Sequence, residues 1–169
     1  MIKHLQKVTE IILDNLSNEV QIFSGKSVLL TGAGGFLGSN LCSFFYHLNN
    51  LDILDKPVEL FAYDKFIHKK EDWVNQYNKS TLINFYEEDI LSIKNFPKCD
   101  FIIHAASIAS PIFYRKYPLE TIDSNVIGLR KLLELSLDFN PEGILFFSTS
   151  EIYGDPNSEN IPTKETYFG

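Results

Sequence analysis

Short apolar runs separated by polar or glycine-rich segments recur along the chain. The first run covers residues 26–31 and ends at a cluster of glycines, which is typical of a strand buried on both faces. Later runs are similarly short and are bounded in the same way. They predict strands at residues 58–63, 81–85, 101–104 and 143–148.

Between these runs, apolar residues recur at the three- and four-residue spacing of an α-helix. Residues 35–48 follow this spacing directly after the glycine cluster, and residues 119–139 follow it until Asn140-Pro141, where proline disfavours a helix. Residues 3–17 also have apolar side chains near helical spacing, with charges between them: Leu5, Val8, Ile12 and Leu16. We therefore expect an amphipathic helix ahead of the first strand.

Strands that alternate with helices in this order predict an α/β fold. The expected architecture is a doubly wound parallel Rossmann sheet with helices on both faces, truncated after the fifth strand. With 169 residues, the chain is long enough for one well-packed domain. We assign residues 1–24 to the N-terminal helix and residues 25–169 to an incomplete Rossmann domain.

Composition narrows the classes of function that remain. A formal net charge of −7 argues against nucleic acid as a partner, because sequence-independent affinity for phosphates requires clustered Lys and Arg. No segment approaches the ~20 apolar residues of a membrane span, so we expect a soluble, cytoplasmic protein without a membrane partner. Cys42 and Cys99 have neither zinc-ligand spacing nor the density of a disulfide framework, and both are expected to be buried.

A glycine-rich loop joins the first predicted strand to the helix after it. Gly32, Gly35 and Gly38 have the spacing that lets a backbone turn tightly and approach a pyrophosphate without a Cβ in the way. The phosphates would lie on free amides at the N-terminus of the following helix, which begins with Phe36 and Leu37. Glycine also marks ordinary turns, but strand, loop and helix occur here in the order that dinucleotide binding requires.

An aspartate closes the second predicted strand. Asp64 lies at roughly the distance beyond the glycines where an acid contacts the adenosine ribose. Its carboxylate can accept from both ribose hydroxyls and would repel a 2′-phosphate, so the expected cofactor is NAD. Lys65 beside it weakens the discrimination against NADP. An aspartate that only ends a strand is the alternative.

Two further segments follow later strands. Asp89 and Ile90 come after the third predicted strand, where a side chain could reach the adenine edge. Ala105, Ala106 and Ser107 come at the end of the fourth, where small side chains leave room for the nicotinamide half of a cofactor. His104 is expected to be a packed strand histidine, because no second metal ligand has suitable spacing.

Together, the glycine loop with Phe36, the acid at position 64, the Asp-Ile pair and the His-Ala-Ala-Ser segment resemble the extended short-chain dehydrogenase/reductases of the NAD-dependent epimerase/dehydratase family. Residues 106–114 and 148–156 are similar to the corresponding segments of UDP-glucuronate decarboxylases, or UDP-xylose synthases. The resemblance covers about residues 26–169. It implies oxidation of a nucleotide-sugar substrate at C4 by NAD, after which the 4-keto sugar loses carbon dioxide, loses water or inverts.

The resemblance also implies roles for individual residues. Thr149 would hydrogen-bond the reacting 4-hydroxyl, while Glu151, beside Ser150, would orient the sugar ring or move a proton. Residues at the other family positions are Ser107 and Ser124 near the cofactor, and Pro111 and Tyr114 near the sugar or its loop. A turn without a catalytic role is the alternative for residues 148–150.

The sequence departs from the family pattern in two respects. The Lys-Thr-Asn of the decarboxylases is here Asp123-Ser124-Asn125, so a cation that faces the substrate has become an acid. In addition, no Tyr is followed by Lys four positions later, although that pair supplies the family's general base. We therefore expect a fragment, a shortened form of an enzyme or a degenerate paralogue, inactive by itself. The full-length protein is expected to be a homodimer, as family members commonly are.

Three functions stay open at this point. The first is the cofactor-binding part of a nucleotide-sugar decarboxylase, with 4,6-dehydratase and 4-epimerase as close alternatives. The second is a non-catalytic dinucleotide-binding or interaction module. The third is a folded domain that binds nothing because its cleft is incomplete. No metal site is expected in any of them.

Overall fold

Five parallel strands form the centre of the protein. The computed structural model describes residues 2–16, 19–51, 53–67 and 72–168. The strands are β1 (Ser27–Thr31), β2 (Glu59–Asp64), β3 (Ile83–Glu87), β4 (Phe101–His104) and β5 (Gly143–Phe146). They lie in the order β3-β2-β1-β4-β5, so the chain crosses from one half of the sheet to the other between β3 and β4. This arrangement confirms the predicted parallel Rossmann sheet, with strand ends moved by no more than two residues.

Helices connect the strands and cover the sheet. They are α1 (Ile2–Asn15), α2 (Phe36–Asn50), α3 (Asp72–Tyr77), α4 (Pro111–Lys116), α5 (Pro118–Ile122) and α6 (Gly128–Phe139). Short 3-10 segments follow α1 and β5: Glu19–Phe23, Ser150–Tyr153 and Ser158–Asn160. The predicted first helix ends earlier than expected, at Asn15, and Ser17 lies outside the described residues.

The helix predicted over residues 119–139 is interrupted by a π-helical turn. The turn spans Asp123–Ile127 and lies between α5 and α6. The prediction of one regular helix was therefore wrong in this detail. Apolar side chains keep three- and four-residue spacing through the turn, so periodicity carries no sign of it.

The side chains of β1 alternate between two hydrophobic cores. Val28 and Leu30 pack on the side of the sheet that α1, α2 and α3 cover, whereas Leu29 packs on the other side with Leu132 of α6. All four side chains are at most 1 % exposed. Burial on both faces explains why the central strand is a continuous apolar run.

The N-terminal helix packs against α2. Leu5 and Leu13 of α1 are buried in the core on that face of the sheet. Thr9 Oγ1 lies 3.2 Å from Ser43 Oγ, and Ser43 Oγ accepts from Tyr77 Oη at 3.2 Å. These contacts join α1, α2 and α3 through one buried polar cluster, and they identify the partner surface of the N-terminal helix.

Apolar side chains remain accessible at the β5 edge of the sheet. Ile144, Leu145 and Phe146 are 39 %, 50 % and 37 % exposed, respectively. The outer faces of α5 and α6 add further exposed apolar residues: Leu119, Ile122, Leu133 and Leu137. Accessible apolar side chains of this kind are typical of interaction sites, and the homodimer expected from the sequence stays a prediction.

Candidate functional site

The glycine loop joins β1 to α2 and packs against the end of β2. The N–H groups of Gly32 and Ala33 both donate to the carbonyl oxygen of Tyr63, at 2.9 and 3.1 Å. Gly32 has a φ of +76°, which a side chain would strain. The N–H of Gly35 then donates to Gly32 O at 3.1 Å, which closes the turn directly ahead of α2.

Two glycines of this loop permit close backbone approaches. A Cβ on Gly32 would lie 2.4 Å from the carbonyl oxygen of Ala105, and a Cβ on Gly38 would lie 2.0 Å from Gly32 O. Neither contact can be relieved by a flexible side chain, because both involve backbone atoms. The loop is therefore packed tightly between the ends of β1 and β4, as the glycine spacing predicts.

The first turn of α2 opens from this loop. Gly35 is the residue before the helix, and it has no side chain with which to cap the first-turn amides. Phe36 is 81 % exposed and Leu37 is 46 % exposed, so both lie on the surface beside the helix end. Unpaired amides at the N-terminus of a 15-residue helix favour an anionic ligand.

The carboxylate of Asp64 is held against the loop. Its Oδ2 accepts from Gly34 N at 3.0 Å, and its Oδ1 accepts from Phe66 N at 2.6 Å. A Cβ on Gly34 would lie 3.0 Å from Asp64 Oδ1, so any larger residue at this position would crowd the carboxylate. The acid predicted for ribose binding thus lies directly beside the predicted phosphate loop.

Asp89 forms an ion pair with the residue after Asp64. Lys65 Nζ lies 2.6 Å from Asp89 Oδ2, and the second carboxylate oxygen accepts from Leu91 N at 3.0 Å. Ile90 is only 6 % exposed and packs in the core with Leu132, so its side chain contributes to the core. From the sequence, Asp89 and Lys65 were each predicted to lie near the adenosine. No pattern in the sequence indicated that they would form an ion pair.

The end of β4 lies next to the loop. Ala105 N donates to the carbonyl oxygen of Thr31 at 3.1 Å, which continues the pairing of β1 and β4 toward the glycines. Ala106 follows in the same segment. Ser107 Oγ accepts from Asn125 Nδ2 at 3.0 Å, so this segment is tied to the π-helical turn. Asn125 was not among the predicted site residues, because a contact across 18 positions leaves no pattern in the sequence.

His104 connects β1, β4 and the π-helical turn. Its Nδ1 lies 2.6 Å from Thr31 Oγ1, and its Nε2 lies 3.2 Å from the carbonyl oxygen of Ser124. The ring is 1 % exposed and stacks on Phe146. Burial lowers the pKa of His104 below its ordinary value of 6.5. The expectation of a packed strand histidine is confirmed.

Ser124 faces its own helix. Its Oγ donates to the carbonyl oxygen of Thr121 at 3.1 Å, and its own carbonyl oxygen is the partner of His104. The structure therefore gives Ser124 a role in holding the π-helical turn, while its predicted contact with the cofactor stays a prediction.

The predicted catalytic segment follows β5. Thr149 precedes the 3-10 segment Ser150–Tyr153, and its Oγ1 accepts from Glu151 N at 3.2 Å. All three residues from Thr149 to Glu151 are exposed. β5 pairs with β4, and Phe147 N donates to His104 O, so this segment begins at the same edge of the sheet as Ala105 and Ser107.

The two residues predicted near the sugar lie on α4. Pro111 is the first residue of this helix, where its fixed φ suits a helix start and its missing N–H costs nothing. Tyr114 lies one turn later and is half-buried. The helix starts a few residues after the Ala105–Ser107 segment in the chain.

Both cysteines are buried and unpaired, as predicted. Burial raises the pKa of Cys99 to about 11 and also raises that of Cys42. Within the described residues, no group of three or more His, Cys, Asp or Glu side chains could hold a metal ion. None of the helices described above is long and apolar enough to cross a membrane.

Curated proteins with similar sequences include UDP-glucuronic acid decarboxylases. UDP-glucuronic acid decarboxylase 6 of Arabidopsis thaliana is 32 % identical over 154 residues, which cover 91 % of this chain and 42 % of that protein. UDP-glucuronic acid decarboxylase 1 of Danio rerio is 35 % identical over 147 residues, which cover 85 % of this chain and 32 % of that protein. The chain thus spans less than half the length of these relatives.

Solved structures with a similar fold include nucleotide-sugar epimerases. UDP-glucuronic acid 4-epimerase from Bacillus cereus, solved in complex with NAD, is 25 % identical with a TM-score of 0.59, covering 78 % of this chain and 42 % of that one. UDP-glucose-4-epimerase from Stenotrophomonas maltophila, solved with bound NAD, has a TM-score of 0.64 at 23 % identity, covering 85 % and 42 %. The second likeness supports the fold alone.

The sequence model of the NAD dependent epimerase/dehydratase family matches residues 28–168. This range includes the glycine loop, Asp64, the end of β4 and the segment after β5. It leaves α1 outside. The chain therefore belongs to the NAD dependent epimerase/dehydratase family.

Proposed function

We propose that this chain binds NAD across the glycine loop and is the cofactor-binding part of an enzyme that modifies a nucleotide sugar. The proposal rests chiefly on one observation, the hydrogen bond of 3.0 Å between Gly34 N and Asp64 Oδ2. It brings a ribose-binding carboxylate to the start of the helix whose free amides suit a pyrophosphate.

The residues present fit the dinucleotide. A Cβ on Gly35 would meet only Gly32 O, at 3.3 Å, so one face of this glycine is open to a ligand. The pyrophosphate would lie there, on the amides of residues 36–38. Asp64 would accept from the ribose hydroxyls, and its charge disfavours the 2′-phosphate of NADP. Ala105 and Ala106 leave room for the nicotinamide half at the end of β4.

The family relationship and the likeness to decarboxylases indicate the reaction. When bound, NAD would be the oxidant that accepts a hydride from C4 of the sugar. Thr149 would donate a hydrogen bond to the 4-oxygen, because accepting from Glu151 N occupies a lone pair of its hydroxyl and leaves its proton available. The exposed carboxylate of Glu151 would orient the ring or move a proton. Pro111 and Tyr114 would lie beside the sugar.

UDP-glucuronate is the substrate that similarity to the curated relatives favours, and the reaction would then be decarboxylation. Asp123 favours a second candidate, because an acid stands where the decarboxylases have a cation for the substrate. A 4,6-dehydratase or a 4-epimerase acting on a neutral sugar would tolerate that acid. A non-catalytic module that only binds the dinucleotide is the candidate of another class.

Calorimetry tests these candidate functions one after the other. NAD is titrated into the chain first, and UDP-glucuronate or UDP-glucose is then titrated into the NAD-loaded protein. We expect saturable NAD binding and tighter binding of UDP-glucuronate than of UDP-glucose. Equal or reversed sugar affinities would favour the dehydratase or epimerase, and NAD binding without either sugar would favour the non-catalytic module. An absence of NAD binding would overturn the proposal.

A further inference from the structure

Lys65 and Asp89 form an ion pair at the adenosine end of the proposed cofactor site. Lys65 directly follows Asp64, and its Nζ lies 2.6 Å from Asp89 Oδ2. The side chains are 45 % and 30 % exposed, so the pair is open to solvent and to a ligand. A cation next to a ribose-binding acid is the feature that a 2′-phosphate would exploit.

The aspartate is the fixed partner of this pair. Its Oδ1 accepts from Leu91 N at 3.0 Å, and its carbonyl oxygen accepts from Ser92 N at 2.8 Å. Lys131 of α6 holds the same turn by donating to the carbonyl oxygens of Ile90 and Leu91, both at 3.2 Å. Asp89 is thus anchored to the fold, whereas Lys65 reaches it through a flexible side chain.

The pair lies close to the ribose position. Asp64 is opposite Glu87 in the pairing of β2 with β3, and Glu88 N donates to Asp64 O at 3.0 Å. The turn that carries Asp89 therefore starts beside the acid proposed to bind the ribose. A phosphate on the 2′-oxygen would meet Asp64 on one side and a lysine already neutralised by Asp89 on the other.

We propose that Asp89 determines dinucleotide specificity by sequestering Lys65, so that the site accepts an unphosphorylated ribose and rejects a 2′-phosphate. This inference rests on the proposed binding of NAD. It makes Asp64 and the ion pair two separate sources of discrimination: one repels the phosphate, and the other withholds the cation that would bind it.

The test is a double-mutant cycle on dinucleotide affinity. Asp89→Asn removes the charge, while its amide oxygen keeps the acceptor for Leu91 N. Lys65→Met removes the cation and keeps most of the chain length. The affinities of NAD and NADP are measured for the unchanged protein, both single variants and the double variant. The ratio of the two is the readout, because a contact of Asp89 with the adenine, which both cofactors share, cancels from it.

We expect Asp89→Asn to shift the ratio toward NADP by about tenfold, the effect of a freed cation that can bind phosphate. The same substitution in the Lys65→Met background is expected to shift the ratio much less, because no cation remains to be freed, and an equal shift in both backgrounds would overturn the inference. An unaltered ratio in Asp89→Asn, with NAD still bound, would overturn this inference alone. Failure of the unchanged protein to bind NAD would instead overturn the proposed function. Circular dichroism of each variant confirms that the fold is retained.

Discussion

The backbone N–H of Gly34 donates a hydrogen bond of 3.0 Å to Oδ2 of Asp64, across 30 positions of the sequence. The glycine loop after β1 and the acid at the end of β2 are therefore one structural unit. Because parallel strands bring their carboxyl ends to the same edge, a loop and an acid far apart in sequence meet where a dinucleotide would span them.

Gly38 is expected to contribute to the stability of the fold. A Cβ at this position would lie 2.0 Å from Gly32 O and 2.8 Å from Ala33 Cα, so Gly38→Ala must displace backbone. We predict a loss of about 3 kcal/mol in the free energy of unfolding, measured by urea denaturation. Gly143→Ala is the matched control, because its Cβ would meet only the Phe101 ring, at 3.3 Å. Equal losses in the two variants would contradict the role of the close approach.

His104 is expected to make stability depend on pH. Burial lowers its pKa in the folded protein below the ordinary value of 6.5, so the unfolded chain takes up the proton first as the pH falls. Between the two pKa values the unfolded state binds more protons, and the free energy of unfolding therefore decreases as the pH drops below about 6.5. The stability that neutral His104 contributes is fully present above that value.

Urea denaturation over a pH series checks this prediction. The decrease on the acid side is expected to be shallower in His104→Gln than in the unchanged protein, and His4→Gln on the exposed surface of α1 serves as the control. Should His104→Gln show the unchanged slope, proton uptake by His104 would not contribute to acid sensitivity.

Ser43 is expected to hold the N-terminal helix to the domain. Its Oγ lies 3.2 Å from Thr9 Oγ1 of α1 and accepts from Tyr77 Oη of α3 at 3.2 Å. Ser43→Ala leaves both buried hydroxyls without this partner, and we predict a loss of about 1–3 kcal/mol in the free energy of unfolding. Thermal or urea unfolding measures it, with the exposed Ser158→Ala as the control.

A second substitution separates hydrogen bonding from packing at this cluster. Tyr77→Phe removes the hydroxyl that Ser43→Ala leaves unpaired, so the double variant is expected to be less destabilised than the sum of the two single variants. Strict additivity of the two losses would argue that packing alone explains the effect of Ser43→Ala.

The strands and the glycine loop were predictable from the sequence because each depends on local pattern. β1 is apolar on both faces and ends at Gly32, and those two features together define a strand, a turn and the helix after it. Burial of Val28, Leu29 and Leu30 confirms the prediction that this segment is a strand buried on both faces. The functional roles that the sequence assigned to the site residues stay predictions.

Contacts between distant segments were not predictable from the sequence. The ion pair of Lys65 with Asp89 and the hydrogen bond of Asn125 with Ser107 depend on how β-α connections bring separate turns together. The π-helical turn is a similar case, since helical periodicity continues through it. Its Ser124 carbonyl meets His104, a residue 20 positions earlier, and a one-dimensional pattern does not record such a contact.

The central claim is that the glycine loop and Asp64 bind NAD, and calorimetry of the Asp64→Ala variant tests it most directly. Asp55→Ala, which removes an exposed acid elsewhere on the surface, is the control for the change in net charge. We predict that the unchanged chain and Asp55→Ala bind NAD with the same affinity, and that Asp64→Ala binds it at least about tenfold more weakly. Equal affinity in all three proteins, or no binding by any of them, would contradict the account.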